Sequence, residues 1–411
     1  MKMKLTRIAF RNLSRNLRRS ILSGSAIAVS ALSIVMLFGL IMGMRDDMAQ
    51  NLKMFYSGEI SIRHAQYEEF ERYNPIHLTV DWKAVEPVLQ QNPALEAVVP
   101  RINFPASLYI NGGNQPVLGV GADFEREQSL IDLTAIVRQG RIPTPGANEM
   151  LMGATLARDL NLKLGDSVTM LSTTAARGSN AITWKVVGLA VFPLSALNAK
   201  YVWVPIDRAQ YFLRMGTDVQ DILMMVKSGY DEKALAAEIQ AEIQQATGTL
   251  TDVQTWKQLN DFYSLLEVAQ YLYYLIGIFF FLLGSTVIIN TTMMVIYERM
   301  REIGTLSALG MQGSELTRLF FLEGAIVSAI GAAVGVVCGM LITWYLSKAG
   351  LDFTDAMSGI DIEISSVLYP KLNLWTALFV YVYAVVVSCA ATLIPSRRAE
   401  RIEPVEALRY I

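Results

Sequence analysis

Charge is scarce in this chain. Asp, Glu, Lys and Arg make up 18% of its 411 residues and 53% are hydrophobic, against about 25% charged in a typical soluble domain. That balance argues for a protein that meets lipid. Cysteine is scarcer still: Cys338 and Cys389 both fall in apolar runs and read as small buried residues. No disulfide framework and no metal-ligand spacing is available. The two histidines, His64 and His77, have no recognisable partner pattern and read as exposed strand or loop residues. Neither a G-x-x-x-x-G-K-[ST] nor a G-x-S-x-G occurs, so the sequence carries no P-loop and no nucleophile elbow. Acid pairs such as Glu68-Glu69 and Asp231-Glu232 read as solvated surface. The sequence offers no catalytic, cofactor-binding or metal-binding residues.

What is present is apolar length. Ile21–Met44, Val268–Tyr297, Gly324–Ser347 and Leu372–Ser396 contain no charged residue, and a bilayer crossing needs about 20 apolar residues. The first run is too long for the apolar core of a secretory signal and reads as an uncleaved span. Lys2, Lys4, Arg7, Arg11, Arg15, Arg18 and Arg19 precede it with no acid among them. Arg299, Arg301 and Arg318 follow the second span, and Arg397, Arg398, Arg401 and Arg409 follow the fourth. The link between spans three and four (348–371) is acid-rich. By the positive-inside rule both termini and the 298–323 segment lie in the cytoplasm. The fold expected is an α-helical membrane protein with four transmembrane helices, N-in and C-in. A large α+β extracytoplasmic domain (45–267) is inserted between spans one and two, and the tail is 397–411.

Residues 1–20 place Leu5, Ile8, Ala9, Leu13 and Leu17 on one helical face and Lys4, Arg7, Arg11, Arg15 and Arg18 on another. This pattern favours an amphipathic helix in the inner-leaflet interface over a basic flank that only sets topology. In the outside domain, strands are expected at Glu59–Arg63, Ala97–Tyr109, Pro116–Val120, Ser167–Leu171, Thr183–Leu189, Tyr201–Val204 and Asp221–Val226. Helices are expected at Asp81–Gln91, Ala154–Leu160 and Asp231–Ala246. The domain is mildly acidic and not a nucleic-acid binder. No breaker separates Trp256 from Tyr297, which predicts one long helix from about Thr255 into the second span.

Small residues mark packing faces. Gly331, Gly335 and Gly339 repeat every four residues, as close helix approach requires. Gly39 with Gly43, and Gly24 with Ala28, are shorter versions in the first span. The absence of charge inside the spans argues against an ion pathway. Between spans two and three, Met300, Ile303, Leu306 and Leu309 form an apolar stripe, flanked by Arg301 and Glu302, with Gly304 and Gly310 as bend and stop. Docking into a groove on a cytoplasmic protein uses both faces of such a helix. Lying on the bilayer would use only one, and Glu298 and Glu302 disfavour a headgroup surface.

"MREIGTLSALG" (Met300–Gly310), "IPSRRAERIEPVEALRYI" (Ile394–Ile411) and "GATLARDLNLKLGDSVTM" (Gly153–Met170) resemble signatures of the FtsX-like permeases. These belong to the ABC transporter superfamily that includes macrolide exporters of the MacB type and the lipoprotein-releasing permeases LolC and LolE. The order of segments resembles that family along the whole chain, and its layout is most similar to LolC and LolE.

The resemblance implies a multi-pass protein of the cell inner membrane, with two permease subunits (a homodimer or a heterodimer) on a cytoplasmic ABC ATPase dimer. ATP and Mg would be bound by that separate ATPase and not by this chain. The periplasmic domain would have porter-like segments (about 45–103 and 194–267) and a β-rich insert (about 104–193). Met300–Gly310 would be the ATPase-coupling helix, and motion would pass outward by mechanotransmission. The implied partners are a lipoprotein or amphiphilic substrate, membrane lipids, and a periplasmic carrier or adaptor. Lipoprotein release is the leading function. Export of a small amphiphile or peptide, or FtsX-like signalling to a periplasmic enzyme, are the alternatives. A lipid-anchored substrate would come in sideways, past Phe38 and Met42 of the first span and Leu272 and Ile276 of the second. The plain alternative is that any outer half-span is apolar.

Overall fold

The computed structural model describes residues 17–70, 75–110, 112–259, 311–353 and 367–400. Between 260 and 310 it describes only 268, 271–279, 282–283, 286, 289–290, 293–294, 297 and 304–305. The chain divides into two compact units. One comprises Met1–Arg45, Leu265–Leu351 and Leu368–Ile411; the other comprises Asp46–Ser264 and Asp352–Val367.

The first unit is built from long apolar helices. Helix α1 spans Leu17–Leu52 and ends in a π-helical turn, Lys53–Ser57. It runs unbroken across the expected boundaries at 20/21 and 44/45. At 1.5 Å per residue it is about 54 Å long, well beyond the roughly 30 Å of a bilayer core. Among the described residues three helices are long and apolar enough to cross a membrane: Ser20–Ser57, Gly313–Ala349 and Leu374–Leu393. The expected second span lies largely outside the described residues, as do residues 1–16 of the expected interfacial helix.

The second unit is built on a ten-stranded sheet. Its strands are β1 (Ile60–His64), β2 (Leu95–Ile110), β3 (Gly113–Ala122), β4 (Val137–Gly140), β5 (Glu149–Gly153), β6 (Ser167–Thr173), β7 (Ser179–Ala190), β8 (Tyr201–Pro205), β9 (Asp221–Val226) and β10 (Thr251–Thr255). The order is β10-β1-β9-β2-β3-β8-β5-β7-β4, with β6 bridging β2 and β7. Pairing is antiparallel except for β3 with β8 and β5 with β7. β2 is the spine, pairing β9 through its first half and β3 from Arg101 to Ile110. The expected boundary between porter-like segment and insert, at 103/104, falls inside this strand.

Alternation along β2 sends its side chains to two cores. Ile102, Phe104 and Leu108 join one, covered by α2 (Trp82–Gln90), α3 (Ile206–Leu213) and α4 (Glu232–Thr247). Ala97 and Val99 join the other, with Phe55, Phe124, Phe192, Leu197 and Trp203. α4 begins at Asp231, whose carboxylate accepts from the Lys233 N–H, and ends at Gly248 with φ +68°. That left-handed stop suits glycine.

All seven expected strands and all three expected helices lie on observed elements. Three strands (β4, β5, β10), α3 and the short helices Tyr67–Phe70, Phe124–Glu127, Leu133–Ile136 and Ser195–Lys200 were not expected. β5, Glu-Met-Leu-Met-Gly, is buried on both faces and therefore lacks the two-residue alternation that marks a half-exposed strand. Where a long helix was expected from about Thr255, Thr255 closes β10 and Trp256–Leu259 forms a short helix; residues 260–267, on which its continuation depends, lie outside the described residues.

Candidate functional site

The glycines of the third expected span lie on helix α5 (Gly313–Ala349) and face α1. A Cβ on Gly335 would sit 2.2 Å from the Ala28 carbonyl oxygen, and one on Gly331 2.6 Å from that of Gly24. A Cβ on Gly339 would meet Val35 Cβ at 3.0 Å. The two small-residue rows therefore bring backbone against backbone. Ala31, Ile34, Val35, Ala332 and Val336 fill the flanks. Gly39 packs on α5, as a helix-on-helix face would, and also on the extended chain before Leu374, while Gly43 meets that chain alone. Gly39 abuts Thr343 and accepts the Lys371 N–H at 2.9 Å, while a Cβ on Gly43 would meet the Tyr369 carbonyl oxygen at 2.2 Å. These two glycines make room for the extended chain that leads into helix α6 (Leu374–Glu400).

Beside that crossing is a cleft of about 420 Å³. Phe38, Ile41, Met42, Met44 and Arg45 of α1 form one wall. Tyr273 and Tyr274 form a second, and Trp375, Thr376 and Phe379 of α6 a third. The Phe38 and Tyr274 rings are 6.0 Å apart. Met42 Sδ accepts from Asn373 Nδ2 at 3.7 Å and from Thr376 Oγ1 at 3.8 Å, which fixes an otherwise flexible side chain. Arg45 is the one charged residue among those that line the cleft. Such a hollow can take an aliphatic chain.

Phe38 and Met42 thus line the cleft, while the other two expected substrate contacts do not. Leu272 is exposed and Ile276 half-buried, and neither lines it. The wall is supplied by Tyr273 and Tyr274, because each residue step turns a helix face by about 100°. The aromatic contribution of α6 was missed altogether; the amphipathic pair Trp375 and Thr376 at the start of an apolar run was its signal. Of the expected coupling helix, Gly304 and Thr305 are helical and Gly304 is buried. Met300, Arg301, Glu302, Ile303, Leu306, Leu309 and Gly310 lie outside the described residues, as does the tail from 401 onward.

In the second unit the chain that follows α1 is held firmly. Arg101, 1% exposed, donates through Nη1 to the Phe55 carbonyl at 2.6 Å and through Nη2 to that of Met54 at 2.9 Å. Its Nε and Nη2 grip both carboxylate oxygens of buried Glu127, and its guanidinium lies 5.2 Å from the centre of the Trp203 ring. Charge-assisted, bidentate bonds of this kind are the strong ones. A second cluster centres on Glu232 at the start of α4. It pairs with Lys53 at 3.4 Å and Lys257 at 3.7 Å and accepts from Trp256 Nε1 at 3.1 Å. One carboxylate thus ties the turn after α1 to the helical turn Trp256–Leu259. A lone arginine in the run Ala97–Phe104 was the sequence signal for the first of these joints. Farther off, the Arg141 guanidinium holds the Glu149 carboxyl down at about 2, helped by the Thr144 N–H.

The chain combines helices long and apolar enough to cross a membrane with one large α+β domain. Residues 20–242, over half of the chain, match the MacB-like periplasmic core domain, and 274–404 match the FtsX-like permease C-terminal region. The chain belongs to the FtsX-like, MacB-type permeases of the ABC transporter superfamily, a family of inner-membrane permeases with a periplasmic domain. It is 22% identical over 343 residues to the lipoprotein-releasing system transmembrane protein LolC of Neisseria meningitidis, covering 80% of this chain and 82% of that one. It is 23% identical to LolE of Haemophilus influenzae, with 80% of each chain covered. The macrolide export ATP-binding/permease protein MacB of Sodalis glossinidius is 22% identical over 98% of this chain and 60% of its own.

Proposed function

We propose that this chain is the non-catalytic permease subunit of an ABC transporter that releases lipoproteins from the inner membrane for transport to the outer membrane. The cleft carries the reading: a hollow for an aliphatic chain, walled by Phe38, Met42, Tyr274 and Phe379 in a permease of this family. Relatives named for lipoprotein release align with four-fifths of the chain, which supports the choice of substrate.

In this reading both termini are cytoplasmic, four helices cross the membrane, and Asp46–Ser264 belongs to the periplasmic domain. A separate ATPase dimer binds ATP and Mg and docks on Met300–Gly310. A second permease subunit completes the complex, and a periplasmic carrier takes the product. The substrate comes sideways from the outer leaflet into the cleft. ATP turnover moves α1, and the Arg101 and Glu232 joints pass that movement into the periplasmic domain. No channel through the helices is required, in keeping with the contact between α1 and α5.

The alignment with MacB along nearly the whole chain favours a second reading, export of a small amphiphile or peptide with a periplasmic adaptor. FtsX-like signalling to a periplasmic enzyme is the third. Photocrosslinking from positions 38, 42 and 274 in native membranes tests the proposal. Crosslinks to lipoprotein that disappear on ATP turnover support it. Crosslinks to phospholipid alone, from every position, remove it.

A further inference from the structure

Two polar side chains at the membrane cleft converge on one sulfur atom. Met42 Sδ accepts from Asn373 Nδ2 at 3.7 Å and from Thr376 Oγ1 at 3.8 Å. The Asn373 amide is held in place by the helix it precedes. Its Oδ1 accepts from the Trp375 N–H at 2.9 Å and the Thr376 N–H at 3.4 Å, as a helix N-cap does. With the oxygen so engaged, the NH2 group is the end that faces Met42.

A thioether is a weak acceptor, so two ordinary donors here share a poor partner. An oxygen bonded to that sulfur would be a strong one. Met42 is half-buried and lines the cleft, so a small solute in the cleft reaches it. Met44 is also half-buried and lines the same cleft, with no hydrogen bond to its sulfur among the described residues. It serves as an internal comparison.

From this geometry we infer that Met42 is a site of reversible oxidation to the sulfoxide, whose oxygen accepts from Asn373 and Thr376. The oxidant is hydrogen peroxide. The sulfur lone pair attacks one peroxide oxygen, the O–O bond breaks, and a proton passes from the transferred oxygen to the one that leaves as water. Sulfur loses two electrons and the peroxide gains them. The two donors stabilise the negative charge that builds on the transferred oxygen. Two thiols of a methionine sulfoxide reductase reverse the change, becoming a disulfide as the oxygen leaves as water. Oxidation turns a flexible apolar side chain into a polar one, and the cleft then holds an aliphatic chain less well. That consequence rests on reading the cleft as an acyl site; the oxidation itself does not.

The test uses the full chain in lipid nanodiscs, treated with hydrogen peroxide to partial conversion and mapped by fragment-ion mass spectrometry. Met42 sulfoxide should exceed Met44 sulfoxide severalfold. Thr376→Val removes one donor at nearly constant shape and should lower that ratio about fivefold, the effect of one ordinary hydrogen bond. Asn373→Asp keeps the capping acceptor and removes the other donor, so a similar fall is expected. Either variant serves if the other does not fold. A Met42 no more oxidised than Met44, or a ratio unmoved in the folded variants, overturns the site.

A photoactivatable alkane, with labelling mapped at Phe38 and Tyr274, reads the consequence for the cleft. Peroxide should lower this labelling severalfold and sulfoxide reductase should restore it. In Met42→Leu, which peroxide cannot convert at this position, labelling should persist. Labelling that ignores Met42 oxidation overturns the effect on the cleft. Absence of labelling with and without peroxide overturns the acyl-site reading instead, and the sulfoxide ratio still decides the oxidation site.

Discussion

Gly335→Leu is the sharpest perturbation of the helix packing. A Cβ at this position would stand 2.2 Å from the Ala28 carbonyl oxygen and 2.7 Å from Ala28 Cα. Carbon–oxygen contacts settle at about 3.3–3.6 Å, so α1 and α5 must part by more than ~1 Å before the rest of the leucine is placed. A gap of about 0.5–1 Å already forfeits a quarter to a half of each dispersion contact. Helices in lipid have little else to hold them together. Overpacking costs about 1–3 kcal/mol and a leucine against backbone belongs at the top of that range. For a body of this size that is a fall in Tm of about 6–12 °C.

The two cysteines provide the assay, because both lie in the long helices, Cys338 exposed and Cys389 half-buried. In a Cys338→Ser background a thiol-reactive dye reads the melting of the helices through Cys389. Gly335→Ala should fall by a smaller amount. Val334→Leu, on an exposed position of the same helix, should not fall at all. A Gly335→Leu protein that melts with its parent would refute the packing argument.

Leu306→Asp places a charge in the only cytoplasmic apolar stripe expected between spans. The ATPase should then fail to co-purify or lose its stimulation by substrate, and normal transport by a well-expressed variant would contradict the docking role. Glu127→Ala leaves the Arg101 charge buried without its carboxylate and should destabilise the periplasmic domain by about 3–5 kcal/mol, read by limited proteolysis of the full chain under denaturant. Its replacement together with Arg101→Met should recover much of that loss. The Glu149 carboxyl, depressed to about 2 from 4.5, stabilises the 141–149 loop fully above its unfolded value. That contribution is lost as pH falls towards 2, so the loop's amide protection factors, corrected for intrinsic exchange, should fall between about pH 4.5 and 2 and stay flat above.

Three long apolar helices and most strands were legible, the helices from uninterrupted apolar length and the strands from their period. β2 alternates, and Gly331, Gly335 and Gly339 mark one helix face. What stayed hidden depends on partners distant in sequence. β5 is buried on both sides, so alternation cannot reveal it. Gly43 looks like the partner of Gly39 in a helix-packing pair until Tyr369 is seen against it. Phe38 and Met42 could be chosen from position alone, but Tyr273, Tyr274 and Trp375 required knowing which helix faces turn together. The carboxylate that completes the Arg101 joint, Glu127, lies on a four-residue helix that no periodicity announces.

The most direct test is purification of the complex from native membranes with its ATPase, followed by mass spectrometry of what remains bound. Acylated lipoprotein should be present without nucleotide, depart when ATP and Mg are added, and be lost from a Met42→Trp variant that fills the cleft but still assembles. A complex that retains only a small amphiphile, or a periplasmic enzyme and no lipoprotein, would contradict lipoprotein release.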